Sequence, residues 1–386
     1  MYILYILLAI VILLFMVLIH EFGHYCIGRM LHFKITEFSV GFGKAIFQKT
    51  NKRGEKISLR IFPLGGYCAF AGEDEENVDD KEAFSNQAPW KRILVFLAGV
   101  TFNFVTAVIF SLILLCTLGY DIPQVTQYNP LASHIQEEEY HYNPSASLDA
   151  LQEGDVIFAI DGQKIDFAFG KNFNTIIQEE QAKIISWVRE NSNEDGVLNS
   201  DANFEEFPTM TFTIRRDGQM QDVEVAVFQI QQYGTDEDGN QIVETAYAFG
   251  ISAKAYVHTF WEALDRCIPF AFGLAWVVLK SLWLLLTFQL GIDAIGGPIT
   301  TIATMATVTQ MNAGNLLLLI PLISANLAVF NLLPIPALDG SHVLFTLIEW
   351  IRGKPINRRV ENIIHFVGLA ILFGLVILID ILHFLL

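Results

Sequence analysis

His20, Glu21 and His24 are the residues of this 386-residue chain whose types and spacing most clearly suggest chemistry. They form His20-Glu21-Phe22-Gly23-His24, the HExxH pattern. Two imidazoles four residues apart fall on nearly one face of a helix. A single Zn²⁺ can take a nitrogen from each at about 2.0–2.1 Å. Glu21, between them, is free to act as general base on the attacking water. The same residues could also be a polar cap at a membrane interface. Their position weighs against that: residues 1–19 carry no charge. Ionisable groups within a span are rare and functional by default. A hydrolytic zinc site at the end of a span points to peptide hydrolysis inside a bilayer.

A proteolytic zinc needs three protein ligands and one open position. No third histidine follows at the spacing of the soluble extended motifs. The best candidate lies far downstream, in Asn331-Leu332-Leu333-Pro334-Ile335-Pro336-Ala337-Leu338-Asp339-Gly340. Two prolines break the helix and one carboxylate follows. Irregular backbone at membrane depth is tolerated only where it is buried in protein or lines a wet cavity. Asp339 suits a helix N-cap over 341–351 as well as a ligand. The unfilled zinc position favours the ligand.

The elements that must hold these residues are membrane spans. The chain is 53% hydrophobic with a mean hydropathy of +0.42, the composition of a membrane protein. Long apolar runs lie at 1–19, 93–118, 267–288, 315–333 and 362–386, and a span needs about 20 residues. No basic start or small-residue cleavage site precedes the HExxH, which argues against a cleaved signal peptide. Residues 119–262 hold 25 Asp and Glu against 7 Lys and Arg, a balance of −18, while the whole chain stands at −17. Basic residues cluster after the first span, at Lys91 and Arg92, and between Arg352 and Arg359. By the positive-inside rule those loops are cytoplasmic and 119–262 is outside. An acidic outer domain argues against nucleic-acid binding. The four cysteines all lie outside it, so it is no disulfide scaffold, and they read as small hydrophobes among helices.

Residues 56–71, KISLRIFPLGGYCAF and Ala71, alternate like a strand, and Pro63 with Gly65-Gly66 breaks the run into a hairpin-like loop. So apolar a hairpin between spans should dip toward the membrane. Its edge could pair with an extended peptide, or simply pack on the helices. Gly41-Phe42-Gly43 reads as a turn, and 73–82 as a solvated acidic linker. In the outer segment, Leu151–Gly162 reads as turn, strand and turn. Thr211–Gln219 reads as a strand into an Asp-Gly hairpin, with a strand at Val223–Phe228. This resembles a bacterial membrane-protease PDZ domain. A polar insert at 190–206 interrupts it. Asn191, Asn193, Asp195 and Gly196 begin like a calcium loop, but Ala202 stands where Glu is required.

Taken together, HEFGH, Gly65-Gly66-Tyr67, the PDZ-like segment, Gly297-Pro298 and NLLPIPALDG resemble the site-2 protease family of intramembrane zinc metalloproteases, of the regulator-of-sigma-E-protease type. Val100 and Ser341 depart from the usual proline and glycine, and neither is a ligand. The resemblance implies zinc on His20, His24 and Asp339, with Glu21 as base. It implies substrate contacts at Asn331, Asn103, Gly65, Gly66 and Tyr67. The expected fold is a polytopic α-helical membrane protein of about four spans with a membrane-dipping β-hairpin and an inserted extracytoplasmic PDZ-like α/β domain. The divisions are 1–118, 119–262 and 263–386. Asp339 must reach the depth of His20, so parity places 267–288 in the interface rather than across the membrane. The implied setting is the bacterial cytoplasmic (inner) membrane. The implied substrates are single-pass membrane proteins, such as anti-sigma factors or signal-peptide remnants, already shortened by an upstream site-1-type protease. The alternative is a membrane-anchored PDZ scaffold with a structural zinc site.

Overall fold

The computed structural model describes the chain except residues 1, 74–81, 129–149, 166–171, 193–209, 226–227, 236–240, 288, 290–295, 313 and 386. Most of the acidic linker, most of the polar insert and the rejected calcium loop beyond Ser192 therefore lie outside the described residues. The chain divides into two compact units. One joins Met1–Ile113 to Cys267–Leu386, and the other is Leu114–Arg266.

The first unit starts with helix α1 (Tyr2–Met30). Strands β1 (Ile35–Thr50) and β2 (Lys56–Phe70) follow, then helix α2 (Pro89–Thr117). The chain returns to this unit within α4 (Phe260–Leu286), which begins in the other one. It continues through α5 (Pro298–Met311), α6 (Asn315–Leu332), α7 (Asp339–Arg352) and α8 (Arg358–Leu385). Five of these helices, α1, α2, α4, α6 and α8, are long and apolar enough to cross a membrane, by length and composition. The stretch 267–288, placed in the interface by parity, belongs to one of them. Parity counted no element between it and α6, yet α5 lies there. Its Thr- and Ala-rich sequence carries no long apolar run. At about 1.5 Å per residue its 14 residues reach about 21 Å, short of a full crossing.

Helix α6 packs beside α1. Ile12 and Met16 of α1 pack with Ile320 and Ile323 of α6, and Ser324 Oγ lies 2.8 Å from the Met16 sulfur. Helices α1 and α2 approach closely at Gly23, where an added Cβ would stand 2.6 Å from the Ala98 carbonyl oxygen.

Of two readings of the loop after α1, one holds and one is refined. Gly41-Phe42-Gly43 does form a turn, though inside β1: Ser58 stands opposite both Ser39 and Gln48, so the strand doubles back between them, with Gly41 and Gly43 both at φ of 86°. Residues 56–71 do reverse direction around the break at 63–66, but their two arms do not pair with each other, because 37–40 lies between them: Val40 stands opposite both Gly66 and Leu59, and Phe38 opposite both Cys68 and Ile57. The 56–60 arm pairs on its other side with 45–50, from Ala45 opposite Arg60 to Thr50 opposite Lys56. The 66–70 stretch has no second strand on its far side among the described residues. Its neighbours in the sheet are tied by Arg60, which donates to Glu37 at 2.7 Å and Ser39 at 3.0 Å.

The second unit holds a sheet ordered β10-β3-β4-β6-β7, from Ile251–Ala255, Pro123–Tyr128, Val156–Ile160, Met210–Arg216 and Gln219–Val225, with β5 (Gln163–Lys164) on β4. Helix α3 (Phe173–Glu190) is capped by Asn172, whose side chain accepts from the Thr175 N–H at 2.9 Å. A separate hairpin joins β8 (Phe228–Thr235) to β9 (Gln241–Ala248). The expected Asp-Gly hairpin forms, with Asp217 and Gly218 both at positive φ, as its tight turn requires. The core is built from Ile157, Ile160, Ile176, Ile184, Phe212 and Ile214.

Candidate metal centre

The break after α6 places Asp339 against the end of the apolar run in α1. Its Oδ2 lies 3.0 Å from His20 Nε2 and 3.5 Å from His24 Nε2, and the two Nε2 atoms are 3.2 Å apart. Asp339 does not cap α7. Leu338 holds the cap position and no side-chain capping bond forms.

Hydrogen bonding decides what these atoms offer. His24 Nδ1 lies 2.8 Å from the Val95 carbonyl oxygen, which can only accept, so Nδ1 carries the proton. A neutral His24 then turns a bare Nε2 lone pair toward the other two residues. His20 Nδ1 faces the Asn103 amide nitrogen at 3.2 Å, while Asn103 Oδ1 is buried without a partner. Turning that amide by 180° matches its oxygen with a His20 Nδ1–H and removes the orphan. His20 then also presents a bare Nε2.

Asp339 Oδ2 is itself buried with no hydrogen-bond partner. Three lone-pair donors therefore face one another 3.0–3.5 Å apart, with no proton to join them. Ligands at tetrahedral angles around zinc, each about 2.0 Å from it, stand roughly 3.3 Å apart. The set fits that ion and keeps a fourth position open. Gly99 of α2 makes the space: a Cβ there would lie 2.5 Å from both His20 Cε1 and His24 Nε2.

Glu21 sits on the side of β2. An added Cβ on Gly66 would come within 3.3 Å of Glu21 Cγ, and the Cys68 backbone N–H hydrogen-bonds the Glu21 carboxylate. Gly66 thus places the 66–70 edge beside Glu21, while Gly65, at φ of 124°, lies against the Phe42 ring. Tyr67 is half-buried in the sheet, its ring 5.5 Å from the Arg60 guanidinium carbon. Asn331 stands in the last turn of α6, half-buried, with no side-chain hydrogen bond to another described residue. Asn103 is the candidate that the structure moves: it faces a histidine of the triad rather than open space.

Sequence reasoning missed Gly99, Val95 and the Arg92–Glu349 pair. Arg92 read as a topology signal. Instead it is buried at the base of α2 and donates at 2.7 Å to Glu349 of α7. The Glu349 carboxylate also accepts the Ile356 N–H at 2.9 Å. That pair ties the helix carrying Asp339 to the helix carrying Gly99. Only a buried charge in an apolar helix could have hinted at it.

Residues 8–375 match the family described as peptidase family M50. A Rickettsia conorii protein named as a zinc metalloprotease is 30% identical over 381 residues, covering 94% of this chain and 93% of its own. A Campylobacter jejuni protein of the same designation is 28% identical over 380 residues, covering 96% and 90%. A chloroplastic protein of Arabidopsis thaliana, named as a membrane metalloprotease, is 28% identical over 351 residues, covering 87% and 70%. The chain belongs to peptidase family M50, the site-2 protease family. With that family it is a membrane zinc metalloprotease.

Proposed function

We propose that the chain hydrolyses peptide bonds within or beside the transmembrane segment of single-pass membrane proteins, with zinc on His20, His24 and Asp339 and Glu21 as general base. The observation that carries this is the convergence of three lone-pair donors at ligand-to-ligand spacing. When bound, zinc would supply Lewis acidity toward the scissile carbonyl and make water acidic enough to be used near neutral pH. Glu21 takes the proton from the attacking water and delivers it to the leaving amide nitrogen. A helical substrate hides its peptide bonds, so it must unwind to be cut. The outer edge of 66–70, with no strand beyond it among the described residues, offers the unwound strand a backbone partner beside Glu21, and the Asn331 amide offers it a further hydrogen bond.

The second unit is read as an extracytoplasmic PDZ-like domain that excludes bulky ectodomains, on the strength of its antiparallel sheet, helix α3 and its acidic charge. The setting is a bacterial cytoplasmic membrane. The substrates arrive after trimming by an upstream protease, in keeping with anti-sigma factors or signal-peptide remnants. Helix α4 is assigned to the interface. Its buried positions Ala263, Cys267, Phe270, Ala271 and Leu274 form one stripe, and Asp265, Arg266 and Lys280 interrupt its apolar run.

Glu21→Gln tests the mechanism. Glutamine keeps the size but cannot take the proton, so turnover should fall at least ~10²-fold while zinc content stays at wild-type level. Near-normal cleavage of a tagged single-pass substrate by this variant would sink the assignment.

A further inference from the structure

The turn that presents Asp339 is held from a place the reaction does not touch. Ala337, two residues before the carboxylate, has φ of 78°, a conformation that L side chains rarely adopt. Such a backbone persists only when its surroundings over-determine it. Here the Ala337 N–H donates to His365 Nδ1 of α8 at 3.0 Å. The His365 ring stacks on His342 with centroids 4.1 Å apart and planes 8° from parallel, and meets Phe345 edge-on. Glu361, one helical turn back, sets a carboxylate oxygen 4.0 Å from His365 Nε2. One turn further on, Gly368 lets Pro336 lie against α8, for an added Cβ there would stand 2.3 Å from Pro336 Cβ. Positions 361, 365 and 368 share one face of α8, and that face is moulded to the 336–342 turn.

His342, Glu361 and His365 gather close enough to suggest a second metal site. The hydrogen bond excludes that role in this arrangement. Because His365 Nδ1 accepts the Ala337 N–H, a neutral His365 carries its proton on Nε2, the nitrogen turned toward Glu361. It has no lone pair left there for a metal.

We propose that His365 is a positioning residue: through its acceptor nitrogen it holds Ala337 in the left-handed conformation and thereby aims Asp339 at the metal. This rests on the reading of Asp339 as a ligand. Groups that orient metal ligands from behind typically change affinity by about 10–100-fold when removed.

The test measures zinc affinity of the detergent-solubilised full chain by competition with a chromophoric chelator, and the visible spectrum of the cobalt-substituted protein. His365→Leu, which cannot accept the bond, should weaken zinc about tenfold or more and alter the cobalt bands. His365→Asn, whose Oδ1 can accept at nearly the Nδ1 position, should stay within about threefold of wild type, well short of that loss. Adding Ala337→Gly to His365→Leu should restore most of the affinity, since glycine takes positive φ without the histidine's help. Wild-type affinity and an unchanged cobalt spectrum in His365→Leu would overturn the proposal. So would equal losses in the Leu and Asn variants with no rescue by glycine, because packing alone would then explain them. Asp339→Ala separates the two layers. If it keeps full affinity, the ligand reading falls and the proposal with it. If it loses zinc while His365→Leu does not, only the positioning role fails. Should His365→Leu not accumulate, Asn affinity far below wild type would overturn the proposal, and Asn affinity near wild type would support it.

Discussion

Both units bury matched ion pairs, Arg92 with Glu349 in the first, but among the described residues only the first also buries a carboxylate that meets no donor. In Leu114–Arg266 the buried acids meet cations or donors. Asp155 accepts from Arg216 at 2.6 and 2.8 Å, Glu180 from Lys183 at 2.5 Å, and Asp121 from His258 at 2.6 Å and from Arg266. In the other unit, Asp339 Oδ2 is buried with no hydrogen-bond partner and faces the Nε2 atoms of His20 and His24. Burying an unmatched polar group costs about 1–3 kcal/mol, more for a charge. A fold that bears this cost on a carboxylate aimed at two imidazole nitrogens is reserving that point for something absent from its own side chains. Matched pairs stabilise structure; convergent unmatched lone pairs mark a binding centre.

The sharpest way to break this comparison is to fill the reserved space. Gly99→Ala adds a methyl 2.5 Å from His20 Cε1 and His24 Nε2. No flexible side chain can yield there, because both rings are held from behind. Zinc should be lost as completely as in His20→Ala or His24→Ala, and cleavage should fall at least ~10²-fold. The check is metal analysis beside a cleavage assay. Full zinc occupancy in Gly99→Ala would mean that the space between the rings is not the ion's.

Residue types explain why part of this was legible in advance and part was not. HExxH is local: four helical steps bring His20 and His24 together whatever the rest of the chain does. Asp339 was reachable because two prolines and an acid at the end of an apolar run are expensive unless used. Gly99 and Val95 act across a helix crossing about 70–80 residues away in sequence, and no local pattern marks a glycine that is needed for a neighbour's imidazole; Asn103 entered only through the family resemblance, as a substrate contact. Nothing in the sequence sets His365 apart from the other histidines, because the role proposed for it rests on the φ of Ala337. Helix α5 escaped notice because Thr and Ala carry no strong periodicity. In the second unit, the Asp217-Gly218 turn and the strand before it were readable from turn chemistry alone. In the first unit the turn at Gly41-Phe42-Gly43 was readable in the same way, but not the strand order that sets 37–40 between the two arms of β2, which depends on pairing between distant residues.

The second unit should answer to the loss of a match rather than to the loss of zinc. Asp155 is 2% exposed and accepts twice from Arg216 and once from the Gln152 N–H. Asp155→Ala leaves a guanidinium and a backbone donor without their acceptor, and should cost about 3 kcal/mol. In thermal unfolding of the full chain, the transition of this unit should move to lower temperature while zinc content is unchanged. If zinc is lost in step with that transition, the two units are not using their polar groups independently.

The smallest effect is a pH dependence, and it refines the same contrast. Burial alone would push the Asp121 carboxyl up. The His258 hydrogen bond and the Arg266 guanidinium outweigh burial and hold it below the usual carboxylate range. A carboxyl depressed on folding contributes stability that is fully present above its unfolded pKa, about 3.9. That contribution is lost as pH falls through the lower, folded value, because protonation removes the charge both partners need. From pH 7 down to about 5 the contribution should therefore stay flat, and below about 4 it should decline. Asp121→Asn abolishes the charge at every pH. The variant should be less stable than wild type by about 1–2 kcal/mol near neutrality. The gap should narrow as both are acidified toward pH 2. Denaturant unfolding of the two proteins across that range measures it. A gap that stays constant down to pH 2 would show that Asp121 contributes through shape and not charge, and that matching charges is not what keeps this unit folded.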